Sequence, residues 1–279
     1  MVIRARRLPA AAAAVVATLA AFGLGGAQAA PPAATAAVAS GGAAHGIRPP
    51  HGGTDAAVLV DGETTVRKAR TTVRLPRVVL RTYANETSVI KNDILSSSSP
   101  AWVVTHPGRH PGFGVFPDTR TTVLGFGAIP IVATLHLRQL VRHGRITPLT
   151  IRTKTQTVAP FATQPTHVSG LVQVRISNVL VDQVPLRVGS HCRTATPMHL
   201  HLVGISPQYN LFTGGPLDGK VTIPPFTGCG IGRDDLDPLL TGTISGPDNP
   251  LHMIQGILGT WDPKRPHDCN GCKPPVHHR

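Results

Sequence analysis

Apolar and polar residues alternate along Ala133-Thr134-Leu135-His136-Leu137-Arg138, and that period of two fits a strand with one wet face and no helix. Ile146 to Thr157 repeats the pattern, with Leu149, Ile151, Thr153 and Thr155 on one side. Further strand-like runs follow at Val168–Ile176, Val179–Val188, Met198–Gly204 and Gly219–Ile223. Asn178 separates two of them, Gly144 supplies one turn, and Asp182-Gln183 forms a hairpin tip. Twenty-seven prolines, 29 glycines and only two glutamates, Glu63 and Glu86, argue against long helices. The expected fold is all-β, an antiparallel β-sandwich of Ig-like or related form, with disordered N- and C-terminal segments. One helical turn is expected at Asp237-Pro238, with Asp237 as N-cap and Pro238 first in the helix. Thr241–Ser245 then returns to strand, and Leu251–Leu258 completes the sheet.

The chain divides into four parts. Residues 1–29 read as an export signal, with Arg4, Arg6 and Arg7 ahead of an Ala/Val/Leu core and Ala27-Gln28-Ala29 at the cleavage site. Residues 30–55 form a disordered Ala/Gly/Pro-rich linker, 56–260 the β domain and 261–279 a flexible Pro/His/Cys tail. No run after the signal has the 18 apolar residues of a transmembrane span, so the expected product is secreted. Its four cysteines then read as two disulfides. Three pairings are possible; the simplest joins Cys192 to Cys229 and Cys269 to Cys272.

Cleavage after Ala29 removes three arginines and no acid, taking the net charge from +13 to +10. Such a charge favours anionic surfaces, here cell-wall polymer or acidic lipid. Arg67, Lys68, Arg70, Arg74, Arg77 and Arg81 are the densest basic run, read as an exposed or edge strand and the candidate anionic-surface site. Only Tyr83 lies nearby for base stacking, which disfavours nucleic acid.

Candidate chemistry is thin. No Gly-x-Ser-x-Gly occurs, and Ser190 and Ser245 have no assignable His and acid partners. His199-Leu200-His201 puts two imidazoles on one strand face near His191, a candidate zinc or copper site. Asp234, Asp235 and Asp237 read as a capped turn and not a calcium loop. Cys269-Asn270-Gly271-Cys272 reads as a local disulfide. No cofactor is implied. Trp102, Phe113 and Phe116 are a candidate interaction patch, and Phe126 belongs to the same aromatic group.

Cys192-Arg193-Thr194, Pro225-Phe226-Thr227-Gly228-Cys229-Gly230, Asp235-Leu236-Asp237-Pro238-Leu239-Leu240 and Ile244-Ser245-Gly246-Pro247 resemble a set found in secreted proteins of high-GC actinobacteria, across residues 120 to 260. The resemblance implies export and a disulfide-tied β domain, and brings no catalytic residues with it. The leading expectation is a secreted, non-enzymatic structural or binding protein at the cell exterior. The alternative is a secreted hydrolase or metal-dependent enzyme with a site near His191, His199 and His201.

Overall fold

A computed structural model describes residues 55–83, 87–105, 113–158, 165–262, 264 and 269–277. The expected export signal and nearly all of the expected linker lie outside them. In chain order the elements are β1 (Asp55–Val66), β2 (Thr71–Tyr83), β3 (Thr87–Lys91), β4 (Ile94–Val104), β5 (Thr119–Gly125), β6 (Ile129–Gln139), β7 (Val141–Arg142), β8 (Arg145–Ile146) and β9 (Leu149–Gln156). Then come β10 (Thr166–Val181), β11 (Val184–Leu186), β12 (Arg193–Thr194), β13 (Met198–Gly204), β14 (Gly215–Ile223), β15 (Phe226–Thr227), helix α1 (Asp237–Ile244), β16 (Gly246–Gln255), β17 (Gly259–Trp261) and β18 (Cys269–Asn270).

All pairings are antiparallel, as the alternation predicts, but one sheet closes on itself where two facing sheets were expected. Its order is β1-β2-β4-β9-β10-β13-β14-β16, and β16 returns to β1 through Val60↔Gln255 to Thr64↔Leu251. Closure satisfies the edges that a sandwich would leave open. Alternate side chains point inward, among them Val58 and Val60 of β1, Val78 and Leu80 of β2, and Leu149 and Ile151 of β9. The outer face is mostly polar: along one row of the register Arg152, His167, Val203, Asp218, His252, Glu63 and Arg74 follow in successive strands, with Val203 of β13 the one apolar member.

Between β2 and β10 the wall is made of two hairpin-like pairs set end to end. Toward one end β4 and β9 bridge them, with Val79↔Val104 and Ile151↔Val168. Toward the other end β6 runs along β10, and β5 lies beside β2, where the Leu124 amide donates to Thr71 Oγ1 at 3.3 Å. Gln139, fully buried, stitches the junction: its Oε1 accepts the Val103 amide at 2.8 Å and its Nε2 donates to the Ala101 carbonyl at 3.1 Å.

Local chemistry explains the turns. Asn92-Asp93, Phe126-Gly127, His143-Gly144 and Asp182-Gln183 have positive φ at both central positions, the hairpin turn whose twist matches the flanking strands. The Asp182-Gln183 tip was expected. Asn178 is not a break: β10 runs through it, with a register shift between Ser177 and Leu180 and Asn178 at φ 50°. The basic residues from Arg67 to Arg77 are exposed, as expected, while Arg81 falls where β2 is paired with both β1 and β4, the latter over Val79–Thr82. α1 continues to Ile244, so Thr241–Ile244 is helix where strand was expected. Leu236 is the N-cap and Asp237 the first helical residue, since the Asp237 carboxylate is engaged elsewhere.

The C-terminal segment has more to bury than its composition suggests. Trp261, Cys269 and Cys272 pack on the outer side of the barrel against Ala57, Leu59, Val79 and Val104. The Ile257 amide donates to the Lys273 carbonyl at 3.1 Å.

Candidate functional site: an apolar cavity inside the barrel

The barrel interior is not filled. A cavity of about 160 Å³ runs through it, walled mostly by aliphatic side chains from every barrel strand except β4 and from β5 and β6. Val172 and Val174 of β10, Ala133 of β6 and Met198 of β13 are among them. The small Ala133 leaves room where its neighbours Ile131 and Leu135 reach inward.

Each end is closed by a different device. At one end α1 lays Leu240 and Ile244 over the cavity. The helix is held by a loop that the Cys192–Cys229 disulfide ties to the segment beside Ile176 of β10, with the two Cα atoms 4.1 Å apart. Asp237 Oδ1 accepts the Cys229 amide at 2.7 Å, Asp237 Oδ2 accepts the Gly228 amide at 3.1 Å, and Thr241 Oγ1 accepts the Phe226 amide at 2.9 Å. The pairing expected for these cysteines is the one observed. Cys269 is bonded to Cys272, also as expected, with Cα atoms 5.8 Å apart.

At the other end Tyr209 lies in the core, its hydroxyl donating to Gln255 Oε1 at 2.7 Å. Burial pushes the Tyr209 phenol well above the ordinary tyrosine range, so it remains a donor. Gly204 makes room for the ring: a Cβ there would lie 2.5 Å from Tyr209 Cδ1 and 2.9 Å from Leu217 Cδ2.

The few polar groups in the lining are largely engaged. Gln255 Nε2 donates to the Leu211 carbonyl at 2.8 Å while its Oε1 takes the Tyr209 proton, and Thr64 Oγ1 donates to the Pro250 carbonyl at 2.8 Å. A ligand with its own polar group would find no free partner in Gln255 or Thr64. Apart from Thr64, Thr121 and Gln255, the lining residues are apolar.

The expected site residues lie elsewhere. His199 and His201 are exposed on the outer face of β13, and His191 is exposed in the loop before Cys192. The three do not converge: the neighbour of His201 is His167, with Nδ1 and Nε2 3.4 Å apart. Among the described residues no three His, Cys, Asp or Glu side chains are placed to hold a metal ion. Ser245 is buried and donates to the Pro224 carbonyl at 2.8 Å, a structural bond.

The six basic residues also divide. Arg67, Lys68 and Arg70 occupy the exposed β1–β2 turn, and Arg74 is exposed on β2. Arg77 pairs with Asp61 at 3.1 Å. Arg81 is only 9% exposed. Its Nη2 lies 2.8 Å from Asp55 Oδ2, and its guanidinium sits 5.3, 5.8 and 5.1 Å from the ring centroids of Tyr83, Phe113 and Trp261. It is a packing element with cation–π contacts, removed from any surface partner. The expected aromatic patch is likewise internal: Trp102 is buried, Phe113 packs on Trp261 and Phe116 packs against the barrel core. Phe126 is the exposed one.

Sequence reasoning missed the cavity because its walls come from strands far apart in the chain. The signal present was the inward half of each alternation, with small residues such as Ala133 among larger ones. Among the described residues, no helix is long and apolar enough to cross a membrane. In comparisons with known proteins, no family model, no curated protein and no solved structure matches the chain.

Proposed function

We propose that the chain is an exported, non-enzymatic binding protein whose barrel takes up a compact apolar molecule. The apolar cavity carries this reading. A dry cavity of roughly 150 Å³ lined by aliphatic and aromatic side chains is known to bind a molecule of benzene size, and this one measures about 160 Å³. The committed state of Gln255 and Thr64 points to a hydrocarbon-like ligand, because a polar group would be desolvated without a partner there. The two disulfides are compatible with export into an oxidising compartment.

The test is calorimetric titration of the purified protein with an apolar probe of benzene size, toluene. The wild type is expected to bind it with measurable heat. Ala133→Leu places added methyl groups in the cavity and is expected to weaken binding by at least tenfold, about the 1.4 kcal/mol that one decade requires. Wild-type protein that binds no probe, or an Ala133→Leu protein that binds it equally well, overturns the reading.

A further inference from the structure

Three turns meet at the end of the barrel that α1 closes. The β5–β6 tip reaches the start of β2 through the Leu124 amide and Thr71 Oγ1, at 3.3 Å. The β1–β2 turn lies beside α1, with Lys68 Nζ 3.5 Å from the Thr241 carbonyl, and is fixed by the Arg67 amide donating to Asn249 Oδ1 at 2.9 Å. The β10–β11 tip lies against β6, where the Asp182 amide donates to the Pro130 carbonyl at 2.9 Å.

The β5–β6 tip carries Leu124, Phe126 and Ile129, all exposed, with Phe126 at 64%. Beside it the β1–β2 turn presents Arg67, Lys68 and Arg70, also exposed. An apolar tip next to three cations matches the layering of an acidic bilayer, with phosphates above and acyl chains beneath. Asp182 at the neighbouring tip and exposed Asp248, next to the Asn249 that accepts the Arg67 amide, are acids at this end, and the three cations outnumber them.

We infer that this end of the barrel docks on an anionic lipid surface, with Phe126 entering the headgroup–acyl boundary and Arg67, Lys68 and Arg70 held among the phosphates. A soluble polyanion would engage the cations and leave Leu124, Phe126 and Ile129 in water, so the pairing of both features favours lipid over wall polymer. The inference is independent of a ligand in the cavity.

Co-sedimentation of the secreted protein with vesicles tests it. The protein is expected to bind vesicles of phosphatidylglycerol and phosphatidylcholine, to bind pure phosphatidylcholine weakly, and to be released by salt. Phe126→Asn removes the apolar tip while keeping a residue that accepts the local φ of 51°, so the turn is preserved. It is expected to lower vesicle affinity by about tenfold. The triple variant Arg67→Gln, Lys68→Gln, Arg70→Asn is expected to lower it by roughly a hundredfold. Ala133→Leu is expected to bind vesicles like the wild type, so failure of the cavity reading and failure of this one are separable. Vesicle binding that neither variant lowers overturns the inference. So does binding to soluble polyphosphate that Phe126→Asn leaves unchanged, in a protein that ignores vesicles.

Discussion

The Asp237 carboxylate takes the backbone amide of Cys229 at 2.7 Å, and this contact joins the disulfide loop to the first residue of the plugging helix. The same carboxylate accepts the Gly228 amide at 3.1 Å. A charged acceptor makes each bond stronger than a neutral pair, and an acid in the first turn also suits the helix dipole. Cys229 is buried, so its amide has no water to turn to. Asp237→Ala is therefore expected to cost about 2–3 kcal/mol in urea unfolding. Asp237→Asn keeps one acceptor oxygen and is expected to lose about half as much. Equal stability of Asp237→Ala and wild type would show that the loop holds α1 without this carboxylate.

The Cys192–Cys229 disulfide closes a loop of 37 residues. In the chain-entropy account that removes about 4 kcal/mol of unfolded-state freedom. The double variant Cys192→Ser, Cys229→Ser is expected to lose stability of that order. Cys269 and Cys272 are three residues apart, so their bond constrains the unfolded chain much less. Replacing both with serine is expected to cost under half as much, with the loss read by the same urea titration.

Local features of this fold were legible and the long-range ones were not. Ala133 to Arg138 announces its strand because inward and outward residues alternate. Asp182-Gln183 announces its tip because short polar residues separate two β-rich runs. Val60↔Gln255 announces nothing, since the two residues lie far apart in the chain and either strand would serve a sandwich equally well. Closure is a property of the whole set of registers, so the cavity could not be read from any one segment. The helix over Thr241–Ile244 was obscured by β-favouring residues: packing of Leu240 into the core and the Phe226–Thr241 bond override their propensity. Arg81 read as surface charge because its ring partners Phe113 and Trp261 are supplied by distant segments.

Gln139 does the work of a missing strand residue, bonding both Val103 and Ala101 of β4 from the end of β6. Gln139→Leu keeps the volume and strands two buried backbone groups. The expected loss is about 3 kcal/mol or more. Gln139→Glu retains an acceptor for Val103 but, when ionised, cannot donate to Ala101 and buries a charge. Its stability is expected to improve as pH falls and the carboxyl takes up the proton that replaces the amide donor. A Gln139→Glu protein whose stability, relative to wild type, is flat from neutral to acid pH would rule out this role for the side chain.

Tyr209 and Gln255 close the barrel end opposite α1, and pH separates their bond from simple packing. Tyr209→Phe leaves Gln255 Oε1 without its donor, at an expected cost of about 1–2 kcal/mol near pH 8. The folded phenol resists ionisation because burial disfavours the charged form. Its pKa is thus raised above that of the unfolded chain, so its contribution is fully present below about pH 10, the ordinary tyrosine value. Above that the unfolded chain ionises first, and the wild type is expected to lose about 1.4 kcal/mol per pH unit from this group until the folded phenol also titrates. Tyr209→Phe lacks that group and its share of the alkaline loss. Urea unfolding of both proteins at pH 8 and pH 11 is therefore expected to show the gap between them shrinking as pH rises. A gap that stays constant would mean that the Tyr209 hydroxyl is open to solvent in the folded protein.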